Sequence, residues 1–294
     1  MTFNDNARIN TQRTQKRSGG GKTAAVGGGS LVVVLGLWAL SALTGVNLMP
    51  LAGVATDATS QLGGGSSAAV ELENCDRGSQ ANERDECRMA ATADAVDQFW
   101  TEQVSNYRPA TLILFEGATS SQCGTASAQT GPFYCPPEEK IYLDVGFFRT
   151  LSSQYGASTG SLAQMYVLAH EWGHHISKLI GTINVDRASG QASGSVRLEL
   201  QADCFAGAWM RNATSAKDQD GNTLLAPITE AQLNDAMSAA AAVGDDHIMQ
   251  SSGMRVDPER FTHGTSEQRQ RWLMTGFTEG PTSCNTFEVP AEKL

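Results

Sequence analysis

The feature that most constrains this chain is an uncharged, largely apolar stretch from Gly27 to Met49. A helix needs about 20 apolar residues to cross the hydrocarbon core of a bilayer, so the stretch predicts one transmembrane helix over 27–49. Basic residues flank it only on the N-terminal side, which predicts a cytoplasmic N-terminus and an extracytoplasmic body. A cleaved signal peptide is the alternative, but its apolar region would be shorter, roughly 7–15 residues.

The apolar stretch separates parts of different composition. Residues 1–26 are polar, basic and Gly-rich, which predicts a disordered cytoplasmic tail. Residues 50–70 form a Gly/Ser-rich linker, and residues 71–294 are long enough for one extracytoplasmic domain. The whole chain carries a net charge of −10 although its N-terminal end is basic, so the body is acidic. An acidic body argues against nucleic-acid binding, which needs a basic surface to neutralise phosphate.

All six cysteines lie beyond the apolar stretch. An even number of cysteines on the outer side of a membrane favours disulfides, because oxidising compartments preserve them. Reduced thiols or a cysteine metal site are the alternatives, and the lack of any C-x-x-C argues against the metal site. Proximity along the chain favours the pairs Cys75–Cys87, Cys123–Cys135 and Cys204–Cys284.

The order of apolar patterns predicts an α+β body with strands early and helices late. Thr265 and Gln268 have the spacing of a capping box, so a last helix is expected to begin in this stretch. The other predicted elements are helices over residues 81–106, 161–180, 196–212 and 229–242, and strands over residues 110–115, 132–135 and 140–145.

The stretch "VLAHEWGHHIS" contains three of the five histidines and lies within a predicted helix. His170 and His174 are four positions apart, so both imidazoles project from one helical face, where they can bind a single zinc ion. Glu171 is then the expected general base, which activates zinc-bound water in the H-E-x-x-H pattern. His175 lies about 100° further round the helix than His174, so we expect it to pack against neighbours instead of binding the metal.

Catalytic zinc takes three protein ligands and keeps a fourth position for water, so a third ligand is expected downstream. The stretch "VRLELQADCFAGAW" supplies Glu199 and, one helical turn later, Asp203. We predict that Glu199 is the third ligand of one Zn²⁺ ion. Asp203 is then expected to accept the free N–H of a ligand histidine. The alternative is an ordinary pair of exposed carboxylates on a helix.

Five stretches together resemble the bacterial putative neutral zinc metallopeptidase family: "GPFYCPPEEKIYLD", "LAHEWGHHI", "LELQADCFAGAW", "VGDDHI" and "FTHGTSEQRQRW". The order of H-E-x-x-H and E-x-x-x-D also resembles the gluzincin arrangement. The resemblance implies a zincin-like domain with a small antiparallel or mixed sheet and a largely helical C-terminal half. It implies His170, His174 and Glu199 as ligands and Glu171 as the base. It also implies a peptide substrate bound along a strand edge, for which "GPFYCPPEEKIYLD" is the candidate.

Two further histidines lie in polar stretches. His263 is a candidate donor to the oxyanion of peptide hydrolysis, because the adjacent Gly264 permits a tight turn that can aim the imidazole inward. A loop or capping role for His263 is an equal alternative. His247 follows Asp245 and Asp246 and could support the site through a polar network, although solvated charge is the favoured interpretation.

The leading interpretation is a membrane-anchored zinc metallopeptidase that hydrolyses peptides or envelope proteins outside the cytoplasmic membrane. A catalytically silent, anchored zinc module that binds partners is the alternative, and the intact Glu171 argues against it. Amide hydrolysis of cell-wall material is a third interpretation, which no sugar- or peptidoglycan-binding motif supports.

Overall fold

A computed structural model of the chain describes residues 2–17, 69–70 and 72–294. These residues confirm the α+β class and the helix-rich C-terminal half expected from the sequence. The strands are β1 (Thr14–Arg17), β2 (Ala69–Val70), β3 (Thr111–Phe115), β4 (Ala118–Ser121), β5 (Gly124–Ser127), β6 (Phe133–Cys135) and β7 (Lys140–Asp144). The helices are α1 (Gly78–Glu83), α2 (Asp85–Gln103), α3 (Phe147–Tyr155), α4 (Ser161–Leu179), α5 (Gly194–Asn212), α6 (Glu230–Ala242), α7 (Asp245–Ser251) and α8 (Ser266–Glu279).

One mixed sheet has the strand order β2-β1-β3-β7-β6. β3 is parallel to both β1 and β7, whereas β2 and β6 run antiparallel to their neighbours. Leu112 and Leu114 of β3 belong to the main core, and Ile113 and Phe115 to a smaller cluster, so both faces of this strand are buried. β6 forms one edge of the sheet. β4 and β5 form a separate hairpin that the sequence patterns did not predict.

Residues 2–17 pack against the body, so the disordered tail predicted over 1–26 is wrong for this segment. The side chains of Phe3 and Ile9 are buried in the main core. The strand β1 then pairs in parallel with β3. The prediction failed because the few apolar residues of this segment have no regular spacing, and the surface that buries them is supplied by distant parts of the chain.

Opposite charges also hold the N-terminal segment on α2. Arg13 Nε lies 2.9 Å from a carboxylate oxygen of Asp97, and Lys16 Nζ lies 2.6 Å from a carboxylate oxygen of Glu86. Arg13 and Lys16, two of the basic residues that suggested a cytoplasmic flank, therefore have acidic partners within the body.

The transmembrane helix predicted over 27–49 lies outside the described residues, as does the linker predicted over 50–70 except for β2. In the part of the chain that the structure describes, no helix is both long enough and apolar enough to cross a membrane. A single crossing over 27–49 would place β1 and β3 on opposite faces of the membrane. The predicted crossing and its orientation stay predictions, and the pairing of β1 with β3 is the observation against which they can be tested.

Most of the predicted helices form within a few residues of their expected ends. The helix expected over 81–106 is interrupted at Arg84, whose extended backbone separates α1 from α2. Thr265 caps α8, and its side chain and that of Gln268 form the reciprocal capping box. The short helices α3 and α7 were not predicted, because fewer than three turns give little periodicity to detect.

The long helices α4 and α5 approach each other closely at Gly173. A Cβ atom added to Gly173 would lie 2.8 Å from the Cα atom of Ala202, so a larger residue would push the helices apart. Trp172 of α4 and Trp209 of α5 are fully buried. α8 packs along α5 on another side. This packing places the middle of α5 directly against the H-E-x-x-H segment of α4.

Three disulfides connect the six cysteines, and they are the pairs favoured by proximity along the chain: Cys75–Cys87, Cys123–Cys135 and Cys204–Cys284. The last pair joins α5 to the segment that follows α8. It therefore holds the C-terminal segment against a helix of the candidate site.

Candidate metal centre

Three side chains from two helices converge where α4 meets α5. His170 and His174 project from α4, and Glu199 projects from α5. Nε2 of His170 lies 3.1 Å from Oε2 of Glu199, and Nε2 of His174 lies 3.4 Å from Oε1 of Glu199. One nitrogen or oxygen atom from each residue lies within 4.8 Å of the other two. The three ligands predicted from the sequence therefore meet in space.

The donor atoms and their spacing fit one zinc ion. Tetrahedral zinc with nitrogen and oxygen ligands at about 2.0–2.2 Å separates its ligand atoms by about 3.3–3.6 Å. The observed separations of 3.1 and 3.4 Å are close to this range. Two imidazoles and one carboxylate leave a fourth position for water or substrate, as catalytic zinc requires.

The charges around this group favour a bound cation. Burial alone would raise the pKa of Glu199, but the nearby His174 and hydrogen bonds from His170 and His174 hold it well below its usual range. Burial alone would lower the pKa of His170, whereas the carboxylates of Asp203 and Glu199 raise it to about 10. Without metal, a proton on His170 offsets part of the charge of the buried carboxylates. A metal cation can replace that positive charge when the proton leaves.

Glu171 is a buried carboxylate beside these ligands. It is 8% exposed, and burial raises the pKa of its carboxyl group, although nearby His174 and His170 partly offset the shift. The backbone N–H of Tyr134, in the edge strand β6, faces the same carboxylate and also lowers its pKa. A buried carboxylate with a raised pKa next to a cation site is suited to accept and return a proton.

Asp203 lies one turn after Glu199 and binds the far side of the His170 ring. Oδ1 of Asp203 lies 2.8 Å from Nδ1 of His170, so this N–H donates to the carboxylate and Nε2 remains for a metal. Asp203 is fully buried. Two residues that sequence reasoning missed also donate to it: the hydroxyl of Tyr166, at 2.5 Å from Oδ1, and Nε of Arg269, at 2.8 Å from Oδ2.

His263 lies near the metal ligands, in the loop before α8. Its Nδ1 lies 3.1 Å from Oδ1 of Asp245, while its backbone N–H and that of Gly264 donate to Oδ2. Gly264 has a φ of 90°, and an added Cβ would lie 3.2 Å from Val196 of α5, so glycine lets this loop approach the helix. Burial would lower the pKa of His263, but Asp245 and Glu199 raise it. With 47% of the side chain exposed, solvent weakens this effect.

The remaining two histidines lie outside the group of ligands. His175 is fully buried, with Nδ1 accepting from the Tyr134 hydroxyl at 2.9 Å and Nε2 donating to the Arg108 carbonyl at 2.6 Å. Burial lowers its pKa, so the ring is neutral and holds β6 against α4. His247 donates from Nε2 to the carbonyl of Tyr155. His175 thus packs against neighbouring residues and lies outside the group of candidate ligands, as its position around the helix predicted.

Sequence reasoning missed Tyr166 and Arg269, and it named Asp245 only beside His247 and not as the partner of His263. Tyr166 precedes His170 by four positions on α4, so helical spacing could have placed it on the same face. Asp245 and Arg269 lie in two of the stretches that carry the family resemblance, "VGDDHI" and "FTHGTSEQRQRW". Neither has a local pattern that identifies its partner, because both partners come from distant elements.

The comparisons with known proteins agree with this site. Residues 3–287 match the family described as "Putative neutral zinc metallopeptidase". Uncharacterized protein Rv2575 of Mycobacterium tuberculosis is 42% identical over 223 residues, which cover 74% of this chain and 76% of that protein. Uncharacterized protein YpfJ of Escherichia coli K12 is 40% identical over 207 residues, which cover 68% and 69%. No solved structure matches significantly. The chain belongs to the putative neutral zinc metallopeptidase family.

Proposed function

We propose that this chain is a zinc-dependent peptidase with a zincin-like fold, and that Glu171 is its general base. The observation that carries the proposal is the convergence of His170, His174 and Glu199, whose candidate ligand atoms all lie within 4.8 Å of one another. These three residues would hold one zinc ion. When bound, the ion would polarise the scissile carbonyl and lower the pKa of a water molecule toward about 7.

Glu171 would move the proton that peptide hydrolysis requires. It accepts a proton from the attacking water as the water oxygen bonds to the carbonyl carbon. It then gives this proton to the amide nitrogen as the C–N bond breaks, so one carboxylate serves first as base and then as acid. Burial supports this role, because a raised pKa makes the carboxylate a stronger base.

His263 would donate a hydrogen bond to the oxyanion that forms on the carbonyl oxygen. The Asp245 carboxylate holds Nδ1 of this ring, which leaves Nε2 as the donor. His263 and Glu199 each shift the pKa of the other, which supports a position of His263 near the candidate metal ligands.

An extended peptide would bind along β6, the strand that "GPFYCPPEEKIYLD" contributes to the sheet edge. β6 pairs with β7 on one side, and its Tyr134 N–H faces the Glu171 carboxylate on the other. A sheet edge offers unpaired backbone donors and acceptors to a peptide strand. This arrangement supports peptides as the substrate class.

We also place the body outside the cytoplasmic membrane, attached through the apolar stretch 27–49. The three disulfides support export, since such bonds persist in oxidising compartments. The pairing of β1 with β3 adds a condition that the sequence did not suggest. This pairing supports a placement of residues 2–17 on the same side of the membrane as the body.

The test uses the full chain in detergent, with disulfides formed and zinc supplied, and a mixed peptide library analysed by mass spectrometry. We expect the wild type to cut a defined set of peptides. Glu171→Gln should cut them about 100- to 10,000-fold more slowly while still binding one zinc ion per chain. His247→Gln, which changes a polar residue outside the site, is the matched control and should cleave like the wild type.

Equal cleavage by the wild type and Glu171→Gln would contradict the proposal, because the activity would not depend on the base. If both bind zinc and neither cuts any library peptide, the alternative of an anchored zinc-binding interaction module is favoured. Failure of the wild type to bind zinc would reject both functions.

A further inference from the structure

Arg269 is a buried cation to which the proposed mechanism gives no role. Its side chain is 3% exposed and projects from α8 into the space between α4 and α5. Nε donates to Oδ2 of Asp203 at 2.8 Å, and Nη2 donates to Oδ1 at 2.9 Å. A guanidinium that contacts both oxygens of a carboxylate fixes the orientation of that carboxylate as well as its position.

The carboxylate so held is the one that contacts His170. Oδ1 of Asp203 accepts from Nδ1 of His170 at 2.8 Å and from the Tyr166 hydroxyl. If Asp203 rotated about its last side-chain bond, Oδ1 would move away from Nδ1 of His170. The imidazole would then lose the hydrogen bond that fixes its orientation. Arg269 prevents this rotation because it donates to both oxygens of the carboxylate at once.

Other contacts secure Arg269 itself. Nη1 donates to the carbonyl of Val243 at 3.2 Å, just after the end of α6, and Nη2 also donates to the Tyr166 hydroxyl at 3.2 Å. The side chain therefore joins α8 and the end of α6 to the pair of helices that carry the candidate ligands. A role limited to charge neutralisation would not need this set of directed bonds.

We propose that Arg269 is a positioning residue for the metal: it holds Asp203 so that His170 presents Nε2 toward His174 and Glu199. This inference deepens the proposed function and rests on its metal site, but not on peptidase activity. Residues that orient metal ligands typically change metal affinity about 10- to 100-fold when they are replaced.

The experiment measures metal binding by the full chain and needs no substrate. Zinc affinity is determined by competition with a chromogenic chelator, and the geometry of the site is followed by the visible spectrum of bound Co²⁺. We expect Arg269→Gln to weaken zinc binding about 10- to 100-fold and to alter the Co²⁺ spectrum. Arg269→Lys keeps the charge but loses the two-pronged contact, so it should also bind zinc more weakly than the wild type.

Arg88→Gln is the matched control. Arg88 is likewise a buried arginine, and it donates to Gln164 of α4 and to the backbone carbonyl of Asn82 without touching the ligands or Asp203. Its replacement should lower thermal stability to a similar degree and leave zinc affinity within about twofold of the wild type. This comparison separates loss of positioning from general destabilisation, because only positioning changes the affinity of the folded protein.

Wild-type zinc affinity and an unchanged Co²⁺ spectrum in a folded Arg269→Gln variant would overturn the inference. If Arg269→Gln does not fold, wild-type affinity in Arg269→Lys overturns it equally. Equal weakening by Arg88→Gln would also reject it. Absence of zinc binding by the wild type would instead reject the proposed function, whereas zinc binding without peptide cleavage leaves the test of Arg269 intact.

Discussion

Lys16 of β1 lies opposite Leu114 of β3 in a parallel register, although the whole apolar stretch separates them along the chain. The N-terminal segment is thus an internal strand of the sheet, between β2 and β3. A body prepared without residues 2–17 would lose one side of β3 and the buried Phe3 and Ile9. Activity and stability are therefore best measured on the full chain.

Phe3→Ala is expected to lower the free energy of unfolding by about 3 kcal/mol, because it removes a large buried side chain from the core. Arg8→Ala is the control in the same segment. It breaks an exposed ion pair with Asp220 and should cost less than about 1 kcal/mol. Denaturant unfolding in detergent measures both. Equal, small losses would show that the segment is not packed in solution.

Tags at the two ends of the chain should lie on the same side of the membrane, because β1 and β3 pair directly. Protease added outside spheroplasts is expected to remove both tags. Digestion of the C-terminal tag alone would support the single crossing predicted from the charges, and it would mean that β1 does not pair with β3 in the membrane-attached protein.

His263→Ala should lower kcat by about 100- to 1000-fold with little change in zinc affinity, because the ring is the proposed donor to the oxyanion and not a metal ligand. His247→Ala removes a histidine whose Nε2 bonds the Tyr155 carbonyl, and it should leave kcat nearly unchanged. Steady-state kinetics on a library-derived peptide test the pair. Similar kcat values for both variants would remove His263 from the mechanism.

Glu139 lies in the turn between β6 and β7 and forms two ion pairs. Its Oε1 lies 2.7 Å from Nη2 of Arg108 and 2.8 Å from Nζ of Lys178 in α4. The hydrogen bond from Arg108, followed by that from Lys178, lowers the pKa of Glu139 from 4.5 to about 2. A carboxyl group whose pKa is lower in the folded state than in the unfolded state stabilises the fold at pH values above its unfolded pKa. For Glu139 this stabilisation is lost as the pH falls from about 4.5 toward 2.

Glu139→Gln should therefore be less stable than the wild type at neutral pH. The difference should shrink below pH 4.5 and vanish near pH 2. Urea unfolding at several pH values measures it. A difference that stays constant across this range would show that the ion pairs contribute nothing and that another effect of the substitution is responsible.

The disulfide Cys204–Cys284 closes 80 residues, whereas Cys123–Cys135 closes 12. A longer closed loop restricts the unfolded chain more, so replacing the first pair with alanines should cost more stability, within a range of about 2–5 kcal/mol. Cys204 also follows Asp203 directly, so we expect zinc binding to weaken only when the Cys204–Cys284 pair is replaced. Thermal unfolding with and without zinc tests both points, and equal losses would argue against them.

Within single elements, the sequence predicted local geometry well. Helical spacing placed His170 and His174 on one face of a helix, and the Thr265–Gln268 capping box placed the start of α8. These features depend on three or four neighbouring residues and on the period of the helix, so they need no knowledge of the rest of the fold.

Contacts between elements were harder to predict, and only some of them were predicted correctly. Glu199 could be proposed because zinc needs a third ligand, and a family pattern pointed to its helix. The Asp245 partner of His263 and the Arg269 partner of Asp203 had no such requirement. Many acidic and basic residues of this chain could have filled either place, and only the packing of α7 and α8 selects these two.

The sequence by itself determined the chemistry available to this protein: two imidazoles at helical spacing, a downstream carboxylate, a mixed α+β pattern, and cysteines confined to one side of an apolar stretch. The tertiary structure decided which distant groups meet, including the arginine behind the candidate ligands and the N-terminal strand inside the sheet. The physical reason is that periodicity orders residues within an element. Pairing between elements depends on burying whole surfaces, to which short, irregular segments such as residues 2–17 contribute without any local signature.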